Sequence, residues 1–366
     1  MPVGASDARD SGNRVAVAAL IRLGCGVQST FARLDPPRPS PTARWAGEAF
    51  RDELAAWVAQ SVGPVRLMTQ TKLRFWATVW RAETDDTAYY AKQNCELQSY
   101  EAALVALLAE VVPDAVVPVA AVDPGRGLLL TPDQGQVLAA TAAEDDLAVW
   151  ERVVVAAALL QRELVPYVDR LAAVGLTRLT SADAPAYVEM RLEELAGRPP
   201  GDPMRLGEDE AAAVAAHLPA VRDWSEQVAA LGLPVTLNHN DVHDNNVFAV
   251  GEDLRFFDFG DAMLTDPLSV LLVPLNMLAD RLGAGPDDPR LHAVTDAALE
   301  VWSDLATMAE LRRALPAALR LGRLSRLETW VRCCVSADAA ELAEWGEAVP
   351  QSLAKLVLDP PIGRLG

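Results

Sequence analysis

Between residues 65 and 131 the spacing of hydrophobic residues changes twice, which restricts the chain to folds that combine a small sheet with helices. Residues 65–93 contain the runs LRFWATVWRAE and TAYYAKQN, which are rich in aromatic and β-branched side chains and are separated by TDDT. Such runs predict a β-hairpin. From Glu96 to Val112 the spacing changes: Leu97, Glu101, Leu104 and Leu108 recur at spacings of three and four. This spacing predicts one face of a helix, which Pro113 ends.

Two further short strands are expected over residues 116–122 and 128–131, because the turn sequence DPGRG separates them. This part of the chain therefore reads as strand, strand, helix, strand, strand. After Pro132 long amphipathic segments rich in alanine and leucine dominate, with one strand-like interruption at residues 247–258. The pattern predicts an α+β fold in which a small antiparallel-sheet lobe precedes a large, mainly helical lobe.

Three units are expected along the chain. Residues 1–43 include the proline-rich run DPPRPSPTA and are expected to form an N-terminal arm and linker that is partly flexible. Residues 44–132 form the sheet lobe, and residues 133–366 form the helical lobe. In the helical lobe Trp330 and Trp345 are expected to pack in the core rather than to line a substrate cleft.

Composition excludes several classes of protein. Hydrophobic residues make up 51% of the chain and charged residues 23%, which is enough apolar material for a folded core. The formal net charge of −19 argues against binding to nucleic acid or to anionic membranes. The uncharged stretch Pro267–Ala279 is too short to cross a bilayer, so no membrane span is expected. Four cysteines without CxxC spacing favour a reducing compartment, and the cytoplasm is the expected location.

One segment stands out chemically: LNHNDVHDNNVF at residues 237–248, followed by LRFFDFGDA at residues 254–262. The apolar runs on either side of Gly251 predict a tight hairpin. Asn246 precedes its outgoing strand and Asp258 follows its returning strand, so the two should lie about 5 Å apart. An amide oxygen and a carboxylate are hard ligands suited to Mg²⁺, which completes its shell with water and substrate phosphates. The pair therefore indicates a magnesium site that serves a nucleotide.

Asp241 lies on the same loop, five residues before Asn246. It is placed to accept a proton from a hydroxyl that attacks phosphorus, or simply to orient that hydroxyl. The loop also carries two of the four histidines in the chain, His239 and His243. The alternative is that DVHDNN is an ordinary polar turn whose aspartates cap neighbouring backbone groups.

The sequence HND, with Asn246 five residues after its aspartate, and the later sequence DFGD resemble the aminoglycoside phosphotransferase and choline kinase-like family, relatives of protein kinases. In that family the pattern usually reads HGDxHxxN and then DxGD or DxGE. The resemblance covers about residues 65–267 and implies a bilobal, protein-kinase-like fold that uses ATP and Mg²⁺. It implies that Asp241 is the catalytic residue and that His239 supports its loop. It also implies that Asn246 and Asp258 bind Mg²⁺.

The family further has a strand lysine that holds the α- and β-phosphates and pairs with a glutamate on the next helix. Lys92 in AYYAKQN matches this lysine. Glu101 has independent support as its partner, because it shares a helix face with leucines, where an unpaired carboxylate is costly. Glu96 is the second candidate. The alternative is that Lys92 is a solvated strand lysine and that Glu101 extends from its helix to water.

The run LLLTPD at residues 128–133 lies where the family hinge binds adenine through backbone groups, so Thr131 and Asp133 are the expected contacts. Two departures from the family pattern matter most. Asn240 replaces the usual glycine before the catalytic aspartate, and its side chain could crowd the loop or hydrogen-bond to it. The expected phosphate loop, Met68–Trp76, contains no glycine.

The leading hypothesis is an ATP-dependent small-molecule kinase that transfers the γ-phosphoryl group to a hydroxyl of a small acceptor. The net charge and acidic clusters such as Glu208–Glu210 and Asp287–Asp288 favour a cationic acceptor, an aminoglycoside, amino sugar or amino alcohol. The alternative is that these acids only serve solubility. The rival hypothesis is a non-catalytic kinase-like protein that binds a nucleotide or another ligand, and the two departures motivate it. A calcium-binding module lacks the EF-hand spacing. The oligomeric state is left open.

Overall fold

A computed structural model describes residues 31–34, 38–251 and 253–363 of the chain. Most of the predicted arm, residues 1–30 and 35–37, lies outside the described residues. Its described part is attached to the helical lobe: the backbone N–H groups of Ala32 and Leu34 donate to Glu328 and Glu194 over 3.1 Å each.

The sheet has five antiparallel strands in the order β1-β2-β3-β5-β4. They are β1 (Leu67–Arg74), β2 (Ala77–Glu83), β3 (Ala88–Asn94), β4 (Ala121–Asp123) and β5 (Leu128–Pro132). The expectation of two strands before the first helix of this segment was wrong, because the chain turns at Phe75 and Trp76 and makes three. No glycine, proline or asparagine marks this turn. The turn is instead stabilised by the side chain of Phe75, which is buried with 2% of its surface exposed.

Helices cover both faces of the sheet. Helices α1 (Thr42–Trp45) and α2 (Glu48–Val62) pack on one face, where Trp45, Phe50 and Leu54 join a core with strand residues. Helix α3 (Glu101–Val111) lies on the other face and joins the main core. The sequence interpretation omitted α1 and α2, and its boundary between residues 43 and 44 falls within α1.

The helical lobe is built around one long helix, which packs against five others. Its helices are α4 (Leu147–Leu164), α5 (Val168–Ala173), α6 (Ala184–Ala196), α7 (Glu208–Ala229), α8 (Leu272–Leu282), α9 (Pro289–Glu300), α10 (Met308–Cys334), α11 (Ala339–Trp345) and α12 (Ala348–Ala354). The long helix is α10, and its neighbours include α7, α9 and α12. Within the described ranges, none of the helices combines the length and the apolarity that a bilayer crossing requires.

Two short strand pairs frame the segment that stood out in the sequence. The first, β6 (Thr236–Asn238) with β9 (Met263–Thr265), was not predicted. The second, β7 (Val247–Val250) with β8 (Asp253–Phe256), is the predicted hairpin. Together they fix both ends of the two polar loops between them.

Three tryptophans connect the sheet lobe to the helical lobe. The ring of Trp76, in the β1–β2 turn, meets Trp345 edge-on at 5.2 Å and Trp330 at 5.9 Å. Trp330 of α10 and Trp345 of α11 stack on each other with centroids 6.1 Å apart. All three rings are half-buried. We call this group the tryptophan cluster.

Loss of the tryptophan cluster should destabilise the protein cooperatively. We expect Trp76→Ala to lower the free energy of unfolding by about 2 kcal/mol, less than for a fully buried tryptophan. Combined with Trp330→Ala it should show a coupling of about 1 kcal/mol, as for other aromatic pairs. Guanidinium denaturation of the double-mutant cycle measures this. The control pairs Trp57→Ala with Trp330→Ala; Trp57 is a half-buried tryptophan of α2, and its effect should simply add. Simple additivity for Trp76 would show that the contact has no energetic weight.

Candidate active site

A cleft of about 340 Å³ lies between the sheet and the β7–β8 hairpin. This volume is within the range of small-molecule sites, about 300–1,000 Å³. The rings of Phe248 and Phe257 stack 4.6 Å apart at its floor. Aliphatic side chains complete the apolar lining: Val79, Val105, Val117, Val137 and Leu129. Charged groups also line it: Lys72, Lys92, Glu101 and Asp258. The cleft is therefore apolar where a flat ring could lie and charged where phosphates could lie.

Lys92 binds two carboxylates in this cleft. Its Nζ lies 2.9 Å from Glu101 Oε1 and 2.7 Å from Glu101 Oε2, and it also donates to Asp258 Oδ1. Side chains alternate along β3, so Lys92 faces the cleft while Ala91 faces α2. Glu96, the second candidate partner, is exposed and pairs with Arg38 instead. The geometry therefore favours the predicted pair of Lys92 and Glu101.

Burial and charge together set the pKa values of these three groups. Burial acts to lower the pKa of Lys92, but the charges of Asp258 and Glu101 outweigh it and hold that pKa above its usual value. Burial acts to raise the pKa of Asp258, but the charges of Lys92 and Lys72 hold it well below its usual value. For Glu101 burial is the larger influence and raises the pKa. Both Lys92 and Asp258 are therefore ionised at neutral pH.

Gly260 permits the close approach of the DFG segment to this ion pair. A Cβ at Gly260 would lie 3.2 Å from Asn94 Nδ2, which is a tight contact, and 3.6 Å from Glu101 Oε2, which is an ordinary van der Waals distance. Asp258 itself has a left-handed backbone with φ of 62°. The sequence DFG therefore folds as a sharp turn that presents the carboxylate of Asp258 to Lys92.

His239 is buried and supports the loop that carries Asp241. Its Nε2 donates to the carbonyl of Phe257 over 2.8 Å, and its Nδ1 accepts from the backbone N–H of Asp241 over 3.3 Å. Burial lowers the pKa of His239, which keeps the ring neutral with its proton on Nε2. The imidazole therefore links the loop that carries Asp241 to the loop that carries Asp258.

Asn240 precedes Asp241 and occupies the position where the family pattern usually has glycine. Its φ of 65° is left-handed, a conformation that asparagine tolerates better than most residues. Its side chain points to α10 and donates to Thr329 Oγ1 over 3.1 Å. Its backbone N–H donates to Asn238 Oδ1 over 2.8 Å. The asparagine therefore adds a hydrogen bond to α10, and its side chain does not crowd the loop that carries Asp241.

Asp241 is surrounded by hydrogen-bond donors. Arg326 Nη1 lies 3.1 Å from its Oδ1, and Asn246 Nδ2 and His243 Nε2 lie 3.1 and 3.4 Å from its Oδ2. Burial acts to raise the pKa of Asp241, but the His243 hydrogen bond and the Arg326 charge outweigh it and lower that pKa. Arg326 also binds Asp261 Oδ2 over 2.9 Å. Sequence reasoning missed Arg326, which is one of several arginines on α10 and reaches the loop only through the tertiary fold.

Asn246 and Asp258 offer oxygen atoms that fit a magnesium ion. The backbone N–H of Phe257 donates to the carbonyl of Asn246 over 3.2 Å, which holds the two loop segments side by side. The amide NH₂ of Asn246 binds Asp241, and no hydrogen bond among the described residues uses Asn246 Oδ1 or Asp258 Oδ2. The described residues contain no group of three or more His, Cys, Asp or Glu that could hold a metal. Two hard ligands completed by phosphates and water are typical of Mg²⁺.

Of the two residues expected to contact adenine at the hinge, Thr131 and Asp133, only Thr131 lines the cleft. Thr131 lines the cleft, together with Pro132 and Gln134. Asp133 does not, because its backbone N–H donates to Ala88 and its carboxylate accepts from Gly135. The structure does not support Asp133 as an adenine contact. Asp244, which follows His243, pairs with Arg281 away from Asp241.

The left-handed backbone at Asn240 leads to a matched pair of variants. Asn240→Ala should lower the free energy of unfolding by about 2 kcal/mol, because the left-handed conformation is unfavourable for alanine and the hydrogen bond to Thr329 is lost. Asn240→Gly loses only the bond and should cost about 1 kcal/mol or less. Urea denaturation compares the two. Equal losses would show that backbone conformation at this position does not matter.

A family model described as "Phosphotransferase enzyme family" matches residues 77–311 of the chain. This range includes most residues that line the cleft, the loop that carries Asp241 and the DFG turn. No curated protein sequence matches the chain.

Two solved structures resemble the fold. An ethanolamine kinase from Plasmodium vivax matches with a TM-score of 0.54 and 11% identity, over 84% of this chain and 89% of its own. Amicoumacin kinase hAmiN, solved in complex with AMP-PNP, Ca²⁺ and Ami, matches with a TM-score of 0.52 and 12% identity, over 87% and 96%. At these identities the likeness shows the fold, and it confirms the predicted α+β, protein-kinase-like architecture. Because the family model covers more than half of the chain and agrees with the predicted resemblance, the chain belongs to the phosphotransferase enzyme family.

Proposed function

We propose that this phosphotransferase transfers the γ-phosphoryl group of ATP to a hydroxyl of a small acceptor, with Mg²⁺ held by Asn246 and Asp258. One observation carries the proposal. Asp258 contacts Lys92, which is paired with Glu101, while Asn246 contacts Asp241. A candidate phosphate-binding lysine thus contacts one candidate metal ligand and a candidate catalytic carboxylate contacts the other, on segments that the backbone hydrogen bond from Phe257 to Asn246 holds side by side.

The residues of the cleft divide the work of binding ATP. The apolar lining and the hinge at Thr131 receive the adenine. Lys92 holds the α- and β-phosphates, and Glu101 fixes the position of its ammonium group. When bound by Asn246 and Asp258, Mg²⁺ neutralises charge on the transferring phosphates.

Asp241 acts on the acceptor. A lowered pKa keeps its carboxylate ionised at neutral pH, so it accepts a hydrogen bond from the acceptor hydroxyl and orients it for attack on phosphorus. The surrounding donors, Arg326, Asn246 and His243, hold the carboxylate in one orientation. His239 positions the loop that carries Asp241, and its ring has its proton on Nε2.

The acceptor belongs to the class of small molecules with a free hydroxyl. The net charge of −19 supports a cationic acceptor, such as an aminoglycoside, amino sugar or amino alcohol, because a negatively charged protein attracts cations over long range. The names of the two structural relatives, an ethanolamine kinase and an amicoumacin kinase, support a small molecule as acceptor. Local charge beside Asp241 is mixed, because Arg326 contacts it and Asp261 contacts Arg326. We propose the cytoplasm, where ATP is available, as the site of the reaction.

The rival is a kinase-like protein that binds a nucleotide without turnover. The glycine-free β1–β2 turn is the observation that favours it, because Phe75 and Trp76 pack there where flexible amides usually approach the phosphates.

Two variants separate metal binding from phosphoryl transfer. Asp258→Asn, chosen because asparagine tolerates the left-handed backbone, should weaken binding of ATP in Mg²⁺ by about tenfold or more. Asp241→Asn should keep ATP affinity within about twofold and lower kcat by about 10²–10⁴-fold. Titration calorimetry with ATP, with Mg²⁺ or with EDTA, measures the first effect. Undiminished Mg²⁺-dependent binding in Asp258→Asn would refute the metal assignment.

The acceptor requires a turnover screen. ADP release would be followed with aminoglycosides, amino alcohols, neutral sugars and nucleosides, with Asp241→Asn as the blank. We expect turnover with at least one amine-containing alcohol. Turnover confined to neutral acceptors would refute the proposal of a cationic acceptor and would leave the proposal of kinase activity intact. ATP binding without turnover on any acceptor would favour the rival.

A further inference from the structure

A β-bulge changes the direction of the side chains on β1. Gln70 pairs with Trp80 and Lys72 pairs with Val79, so Thr71 is an extra residue in the ladder. Neighbouring residues of a regular strand face opposite sides of a sheet. Here Thr71 and Lys72 both line the cleft. The bulge therefore aims Lys72 at the cleft, as bulges near functional sites commonly re-aim a side chain.

Lys72 has no fixed partner among the described residues: no hydrogen bond or ion pair involves its ammonium group. Lys92, by contrast, is held in place by Glu101 and Asp258. The charge of Lys72 nevertheless reaches Asp258 and contributes to the lowered pKa of that carboxyl. The cleft thus contains a half-buried cation that forms no hydrogen bond or ion pair with any residue that the structure describes.

The turn beside Lys72 provides little for a phosphate to bind. Strand pairing continues to Arg74 and Ala77, so only Phe75 and Trp76 form the turn. Phe75 is buried and Trp76 is held in the tryptophan cluster. A turn of this kind cannot fold over phosphates as a glycine-rich loop does, because glycine is what allows close backbone approach.

We propose that Lys72 is a second phosphate-binding cation, which contacts the terminal phosphates of ATP from β1 and replaces the missing amide contacts with charge. Lysine suits this role as a mobile point charge with three donors. The inference rests on the proposed function, since it assigns Lys72 to the phosphates of the same nucleotide. With Lys72 in this role, the affinity for ATP depends more on the phosphates than on the adenosine part.

Calorimetric binding of Mg²⁺-ATP and of adenosine to Lys72→Met, Lys72→Arg and the parent chain tests the inference. We expect Lys72→Met to bind ATP about tenfold more weakly, the loss of one charge-assisted contact, and to bind adenosine like the parent. Lys72→Arg should recover most of the ATP affinity. Raising salt from 50 to 200 mM should weaken ATP binding less in Lys72→Met than in the parent. Arg74→Met, an exposed cation on the same strand, is the matched control and should change neither affinity.

Three results would overturn the inference. Parent-like ATP affinity in Lys72→Met would show that the ammonium group does not contact phosphate. Equal losses for ATP and adenosine would assign Lys72 to packing of the cleft. A parent chain that binds no ATP in the presence of Mg²⁺ would refute the proposed function and the inference together, whereas the first two results leave the proposed function intact.

Discussion

The position of one buried lysine between two carboxylates organises the site. Lys92 belongs to β3, Glu101 begins α3, and Asp258 follows the β7–β8 hairpin, so three separate elements meet at one ammonium group. Removing Lys92 would leave the buried carboxylate of Glu101 without its cation, which is far more costly than loss of a surface pair. Gly260 and the left-handed backbone of Asp258 let the third element come this close. The ion pair is thus a constraint on the fold as well as a part of the site.

Helix α10 is the second organising element. Arg326 contacts Asp241 and Asp261, Thr329 accepts from Asn240, and Arg332 donates to the carbonyl of Asp261 over 3.1 Å. Four residues after Arg326, Trp330 contacts the β1–β2 turn. Because these residues recur on one face of a helix, a single rigid element orients the loop that carries Asp241, the DFG turn and the sheet lobe.

The features found from the sequence are those whose signals are local. The hairpin between Asn246 and Asp258 follows from apolar runs around Gly251, and Glu101 stood out because a carboxylate lay on an apolar helix face. The missed features depend on the tertiary fold. Arg326 is 85 positions away from Asp241 in the sequence. The turn at Phe75 and Trp76 carries strand-forming residues, and aromatic packing against another lobe overrides that preference.

The tryptophan cluster also bears on how a nucleotide enters and leaves. Hinge opening between the lobes would have to pull the Trp76 ring away from both Trp330 and Trp345, which costs aromatic contact area before any ligand is released. A cleft held in this way is already formed when the nucleotide arrives, so little ordering entropy is lost on binding. For the proposed kinase, exchange of product for substrate would include separation of these rings as one of its steps.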